Sequence, residues 1–362
     1  MPVYILTSSF LFFSSFSSKP RRLYKCGFLL LFFLSAFRHI STGGFDAGAY
    51  LAFYNRAPDI FNLSGFDSQY QIGYTLLNSL VKTITNSNDY YWFQFFYTVV
   101  TFILLWLVLE ELTITDSERL LLLFAYFCYK FMWYEWGTCR QNIADLFFWL
   151  YALRLGKCDR SDIGKKIILL LKLLIIPYLF HSSAVLNVLF LPIMFIIGKF
   201  SIKTRTIITL IASVILFFIG EKIVAPVLDM MITNVDDRYM MYMSRLTDLQ
   251  SSNIVNTFLR LGFFLFYAFV FDRIELQEKN TIFNFLMMMV MIGSVDLDGV
   301  GRVYEYYAIG LYTTMAIVLR AFRRDNGSKL VALLLFFIGF EIIMIRFVSM
   351  GTRYLYEFKL WF

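Results

Sequence analysis

The stretch Phe28-Leu29-Leu30-Leu31-Phe32-Phe33-Leu34-Ser35-Ala36-Phe37-Arg38-His39-Ile40-Ser41-Thr42-Gly43-Gly44-Phe45-Asp46-Ala47-Gly48-Ala49-Tyr50 decides how the chain is read. An apolar run stops abruptly at Arg38, and a Gly-Gly pair then frees the backbone to turn, because glycine tolerates positive φ. Asp46 follows the turn, and Tyr50 lies one helical turn beyond it. A cation, an anion and an aromatic hydroxyl thus stand at the mouth of an apolar helix.

The rest of the chain repeats the apolar half of that pattern. Hydrophobic residues make up 59% of 362 residues, Phe, Trp and Tyr reach 20%, and the mean hydropathy is +0.65. Average soluble domains are well below this, and in lipid each apolar run must be helical to satisfy its own backbone. The expectation is therefore all-α: a polytopic integral membrane protein, one membrane-embedded domain over 1–362. Its apolar runs fall near 3–18, 23–38, 91–110, 120–136, 141–156, 166–181, 182–198, 206–226, 257–271, 282–296, 303–320 and 330–348. Several are shorter than the roughly 20 residues that a perpendicular span needs, so about 10–12 transmembrane or re-entrant helices are expected. The first run lacks a basic leading segment and a small-residue cleavage site, which favours a first helix over a cleaved signal peptide.

Lys and Arg in the short loops set the orientation. Lys19, Arg21, Arg22 and Lys25 form one cluster; Arg154, Lys157, Arg160, Lys165 and Lys166 a second. Lys199, Lys203 and Arg205, then Arg320, Arg323, Arg324 and Lys329, complete the set. These loops belong in the cytoplasm, and the longer ones, 39–90 and 227–256, on the outer face with the 297–302 turn. The net charge of +7 is thereby a matter of topology, and no nucleic-acid partner is inferred. Cys26, Cys128, Cys139 and Cys158 show no metal-binding spacing, and with only His39 and His181 beside them no metal site is expected.

Further polar clusters punctuate the outer side. Tyr70 to Val81 alternates aromatic, polar and aliphatic residues at helical spacing, as in a helix lying in the membrane interface or a lid without substrate contact. Trp136-Gly137-Thr138-Cys139-Arg140-Gln141-Asn142-Ile143-Ala144-Asp145 puts Arg140 at a span mouth, with Asp145 just inside. Charges inside spans usually face a polar cavity or a partner; the bland alternative is an arginine that snorkels to the headgroups. Pro177 kinks or ends its helix, and His181 then sits between two apolar helices, either titrating near neutral pH or serving as a structural hydrogen-bonder. Arg238, Tyr242 and Arg245 share a helix face suited to an anionic or sugar-rich ligand, or to an ordinary interfacial helix. Asp296 to Tyr307 brings acid, glycine, Arg302 and Tyr306 together at another mouth.

Arg38, Arg140 and Arg302 all fall at outer-face helix mouths. Guanidinium stays charged and grips two oxygens at once, which suits a phosphate or diphosphate on a lipid. Aspartate, histidine and tyrosine in the same layer supply acid–base and sugar contacts.

At these residues the chain resembles the EpsG-like, Wzy-type polymerases of bacterial polysaccharides. The likeness lies in the order of Phe37-Arg38, Gly44, Asp46 and Tyr50, then Arg140-Gln141-Asn142-Ile143-Ala144, then Phe180-His181-Ser182-Ser183-Ala184, then Arg302 with the tyrosines up to Tyr307. The spacing from Arg38 to Asp46 is longer than the family's, which bears on Asp46 more than on Arg38. The resemblance implies a glycosyltransferase-type enzyme in the bacterial inner membrane that joins oligosaccharide repeat units carried on undecaprenyl diphosphate. It implies no cofactor, and it implies a partner protein that regulates chain length. Asp46 and His181 are the expected catalytic residues. Arg38, Tyr50, Arg140, Arg238, Tyr242, Arg245, Arg302 and Tyr306 are expected to bind substrate. Two rivals stay open: a lipid-linked oligosaccharide flippase, for which the in-span charges Lys130 and Lys172 would speak, and another outer-face glycosyltransferase or acyltransferase.

Overall fold

The structure is a computed structural model, which describes residues 2–39, 46–63, 70–135, 137–159, 161–233, 253–295, 303–322 and 324–350. Every regular element among them is helical: α1 Pro2–Ser14, α2 Pro20–Ala36, α3 Ala47–Arg56, α4 Ile72–Thr85, α5 Tyr90–Glu111, α6 Asp116–Tyr126, α7 Cys139–Lys157, α8 Ile163–Phe180, α9 Asn187–Ile197, α10 Ile202–Thr233, α11 Asn253–Val270, α12 Lys279–Gly293, α13 Ile309–Ala321 and α14 Asn326–Met350. A π-helical segment, Phe127–Glu135, extends α6, and a 3-10 turn, Ser182–Leu186, leads into α9. Each apolar run of the sequence thus becomes a helix. Among the described residues, three helical stretches, Tyr90–Glu111, Ile202–Gly220 and Asn326–Ile345, are long and apolar enough to cross a membrane by themselves.

The helices are apolar on the outside. On α4 the exposed side chains are Ile72, Leu76, Leu80 and Ile84, while Tyr74, Thr75, Asn78 and Ser79 are buried. On α10 Ile207, Ile211, Val214 and Phe218 are exposed over buried Thr209 and Ser213. Water-soluble helices show the opposite arrangement, and contiguous exposed apolar surface marks contact with lipid or a partner.

Two readings that the sequence left open concern Pro177 and residues 70–81. Pro177 does not end its helix, which runs on to Phe180 with the proline inside. The missing proline N–H costs one backbone bond, and the next turn re-forms, with the His181 N–H donating to the Pro177 carbonyl at 3.0 Å. The helix expected over residues 70–81 is present as α4, and it packs on α5 and α8. It comes so close at Gly73 that any Cβ would stand 2.7 Å from the Leu179 carbonyl oxygen. The helix stops at Asn86, in the left-handed region with φ 48°.

The chain divides into two compact units, Met1–Ser182 with Met315–Phe362, and Ser183–Thr314. In the first, Gln94 of α5 donates its amide to the carbonyls of Ser35, Ala36 and Arg38 at 2.9, 3.2 and 2.7 Å. A helix C-terminus leaves such carbonyls without partners, so one glutamine both closes α2 and fixes the backbone that carries Arg38. Deeper in this unit Lys130 forms a wholly buried ion pair with Asp145 and lies over the Trp149 ring. Near the opposite end, Thr115 and Glu118 make a capping box at the start of α6. Glu118 also takes two bonds from Arg320, at 2.6 and 2.8 Å. Arg154 is paired with Glu111 at 2.6 Å. Some of the basic residues that signal topology are therefore also structural ties. In the second unit Arg205 plays the same part, donating to Asn284 at 3.0 Å and Asn280 at 3.3 Å.

Candidate functional site

Arg140 is the centre of the arrangement in the first unit. It stands in the first turn of α7, half-buried, and its Nη1 donates to Gln71 Oε1 at 2.8 Å. The guanidinium lies 4.1 Å above the Tyr70 ring and about 6 Å from those of Tyr50 and Tyr74. Its Nε is buried without a hydrogen-bond partner. Among the described residues no carboxylate pairs with it. A buried charge is ordinarily paired. Here the cation is held by aromatic faces and an amide, which orient it without neutralising it.

Helix α3 delivers the opening motif to the same place. Asp46 precedes α3 as its cap residue, and its carbonyl accepts the Tyr50 N–H at 2.9 Å. Its carboxylate is within electrostatic reach of Tyr50 and Cys139. Tyr50 is buried, its ring 6.0 Å from the Arg140 guanidinium. Burial, the largest influence, pushes its hydroxyl well above the usual tyrosine range, so it stays protonated. The tyrosines pack against each other, Tyr50 with Tyr74 at 5.6 Å and Tyr70 with Tyr74 at 5.5 Å between ring centres. Arg38 is buried at the end of α2, where its carbonyl accepts the Gln94 amide; Tyr90, at the start of α5, is within electrostatic reach of Arg38 and Tyr50.

The structure therefore brings Arg38, Asp46, Tyr50 and Arg140 into one neighbourhood. His181 is also buried in this unit, at the C-terminal cap of α8. Tyr306 is buried in the second unit, its hydroxyl 3.3 Å from Ser183 Oγ, and its neighbour Tyr307 donates to Asn187 at 2.9 Å. Arg238, Tyr242, Arg245 and Arg302 lie outside the described residues. Asp145, read from the sequence as an in-span acid in search of a partner, has one in Lys130.

Sequence reasoning missed Gln71, Tyr70 and Tyr74 as site residues, although the i, i+4 tyrosines flanking a glutamine were visible. Tyr90 was missed as well, being the first residue of an apolar span. In the second unit Arg260 escaped notice: it is buried near the start of α11, 3.8 Å over the Tyr304 ring, and donates to the Gly293 carbonyl at 3.2 Å. An arginine one turn inside an apolar run was the signal. Among the described residues no group of three or more His, Cys, Asp or Glu side chains is placed to hold a metal ion.

A family model, that of the EpsG family, matches residues 21–360, nearly the whole chain. No curated protein and no solved structure matches it.

Proposed function

Because the chain belongs to the EpsG family, a Wzy-like polysaccharide polymerase family, we propose that it polymerises oligosaccharide repeat units on undecaprenyl diphosphate at the outer face of the bacterial inner membrane. It acts there as one membrane-embedded domain of about 10–12 transmembrane or re-entrant helices. The observation that carries this reading is Arg140, a guanidinium oriented over Tyr70 and by Gln71 with no carboxylate paired to it among the described residues.

A lipid-linked diphosphate is the ligand that completes such a site. Arg140 and Arg38 hold the diphosphate and stabilise the charge that grows on it as the glycosidic C–O bond breaks. The acceptor hydroxyl of the incoming unit attacks the anomeric carbon, its oxygen forming the new bond. The diphosphate departs with the electron pair of the old bond. Asp46 takes the hydroxyl proton; His181 is the alternative base. Tyr50 and Tyr306 line the sugar path, and Arg238, Tyr242, Arg245 and Arg302 contribute further substrate contacts. A chain-length regulator is the expected protein partner. The buried pairing of Lys130 with Asp145 weighs against a transport path through that lysine.

Deleting the protein tests the reading. Cells should keep single repeat units on their carrier or lipid acceptor and lose the long-chain ladder. Accumulation of the unit on the cytoplasmic leaflet alone would instead mark a flippase.

A further inference from the structure

A second charged feature lies far along α7 and α8 from Arg140 and has no part in the chemistry above. A cleft of about 640 Å³ is lined by Glu111, Arg154, Lys157, Lys165 and Lys172, with Ile168 on its apolar wall. Four cations face one carboxylate. Glu111 is already engaged, by Arg154 at 2.6 Å and by Lys157 at 3.6 Å, and Lys157 also donates to its backbone carbonyl. Among the described residues Lys165 and Lys172 have no ion-pair partner, and both are exposed. They stand seven residues apart on α8, two turns and about 10 Å along one face at ~1.5 Å per residue.

Lys172 is the informative member. It sits in the middle of an apolar helix, among Ile168, Leu171 and Ile175, each at least half exposed at 54%, 50% and 52%. A lysine at that depth needs water or an anion for its ammonium, while the isoleucine and leucine beside it need hydrocarbon. A molecule with a phosphate head and acyl tails meets both demands at once. The loop charges place this end of α7 and α8 at the cytoplasmic surface, where anionic lipids attract basic clusters.

We propose that this cleft binds the phosphate headgroup of an anionic phospholipid, with Lys165 and Lys172 on the phosphate and the acyl chains along Ile168, Leu171 and Ile175. Arg154 and Lys157 add positive field from the floor of the cleft. The inference rests on the membrane reading of the chain and is independent of the polymerisation chemistry.

The test is lipid retention by native mass spectrometry of the full-length protein, released from nanodiscs that mix phosphatidylglycerol with phosphatidylcholine. The intact protein should retain phosphatidylglycerol selectively. The double variant Lys165→Ala with Lys172→Ala should bind it about thirtyfold more weakly, each surface cation being worth about a factor of five. Lys165→Arg with Lys172→Arg should retain it, and Lys199→Ala, another exposed lysine, should bind like the parent. Equal retention of the two lipids, or retention unchanged in the double alanine variant, overturns the proposal. Displacement of the lipid by millimolar inorganic phosphate assigns the cleft to a soluble anion and overturns the phospholipid. Binding of a polyprenyl diphosphate but not of phosphatidylglycerol does the same in favour of the carrier. Since no polymer is measured, loss of the polymerase reading in the ladder assay leaves this outcome separate.

Discussion

Replacing Arg140 with lysine separates an arginine that grips a diphosphate from one that only anchors a helix. Lysine keeps the charge and the reach but offers a point charge in place of a planar fork. In the protein without substrate it loses the stack on Tyr70 at 4.1 Å and the bond to Gln71 at 2.8 Å. A half-exposed cation–π contact is worth about 0.5–1 kcal/mol. If anchoring were the whole role, the loss, about 2–4 kcal/mol with the Gln71 bond included, would fall on stability and lower the amount of protein in the membrane, with polymer per protein unchanged. Loss of a donor that acts on a developing oxyanion costs about 2.7–4 kcal/mol, or roughly a hundredfold to a thousandfold in rate. The two readings thus part in polymer normalised to protein, unchanged under anchoring and down by about a hundredfold or more under diphosphate binding.

A second substitution sharpens the test by charge. Gln71→Glu puts a carboxylate where the amide oxygen now touches Arg140, and at about 4 Å and an effective dielectric of 20 such a pair attracts by roughly 4 kcal/mol. An internal anion would then occupy the guanidinium that the diphosphate needs. Gln71→Glu should abolish the ladder more completely than Gln71→Ala, without lowering the melting temperature. The assay is the polymer ladder on a gel from a complemented deletion strain, normalised to protein in the membrane, with exposed Arg22→Lys as the silent control. Full polymerisation by both Arg140→Lys and Gln71→Glu would refute the anion-site argument and leave Asp46 and His181 to carry the chemistry.

Arg260 is held in a similar way, over the Tyr304 ring and by the Gly293 carbonyl. Arg260→Ala should cost about 2–4 kcal/mol, from one charged hydrogen bond and one stack, visible as a lower melting temperature in detergent. Asp145→Asn leaves Lys130 charged and buried and should cost about 3–5 kcal/mol, whereas Lys130→Met with Asp145→Leu should recover most of it. For topology, a cysteine at Asn88 should react with an impermeant thiol reagent in intact cells and one at Asp162 should not, once the native cysteines are replaced. The reverse pattern would move the Arg140 site to the cytoplasmic face.

Sequence alone was enough for the class and for the helices. An apolar run in lipid has one way to satisfy its backbone, so composition and run length lead to helices without any knowledge of neighbours. The order of Phe37-Arg38, Asp46, Tyr50, Arg140 and His181 was likewise sufficient for the family. What a sequence reading could not supply was pairing. Lys130 and Asp145 each look like an in-span charge awaiting a function, and only packing of the π-helical segment on α7 turns them into a structural couple. Arg140 and Arg260 look alike as arginines near span mouths. The fold sets the first over Tyr70 beside Gln71 and the second over Tyr304 beside the Gly293 carbonyl, so each is oriented by an aromatic face and a neutral acceptor. Charge is local and is written in the residue. Whether it is compensated depends on side chains tens of residues away, brought near by helix packing, and only the tertiary structure decides it.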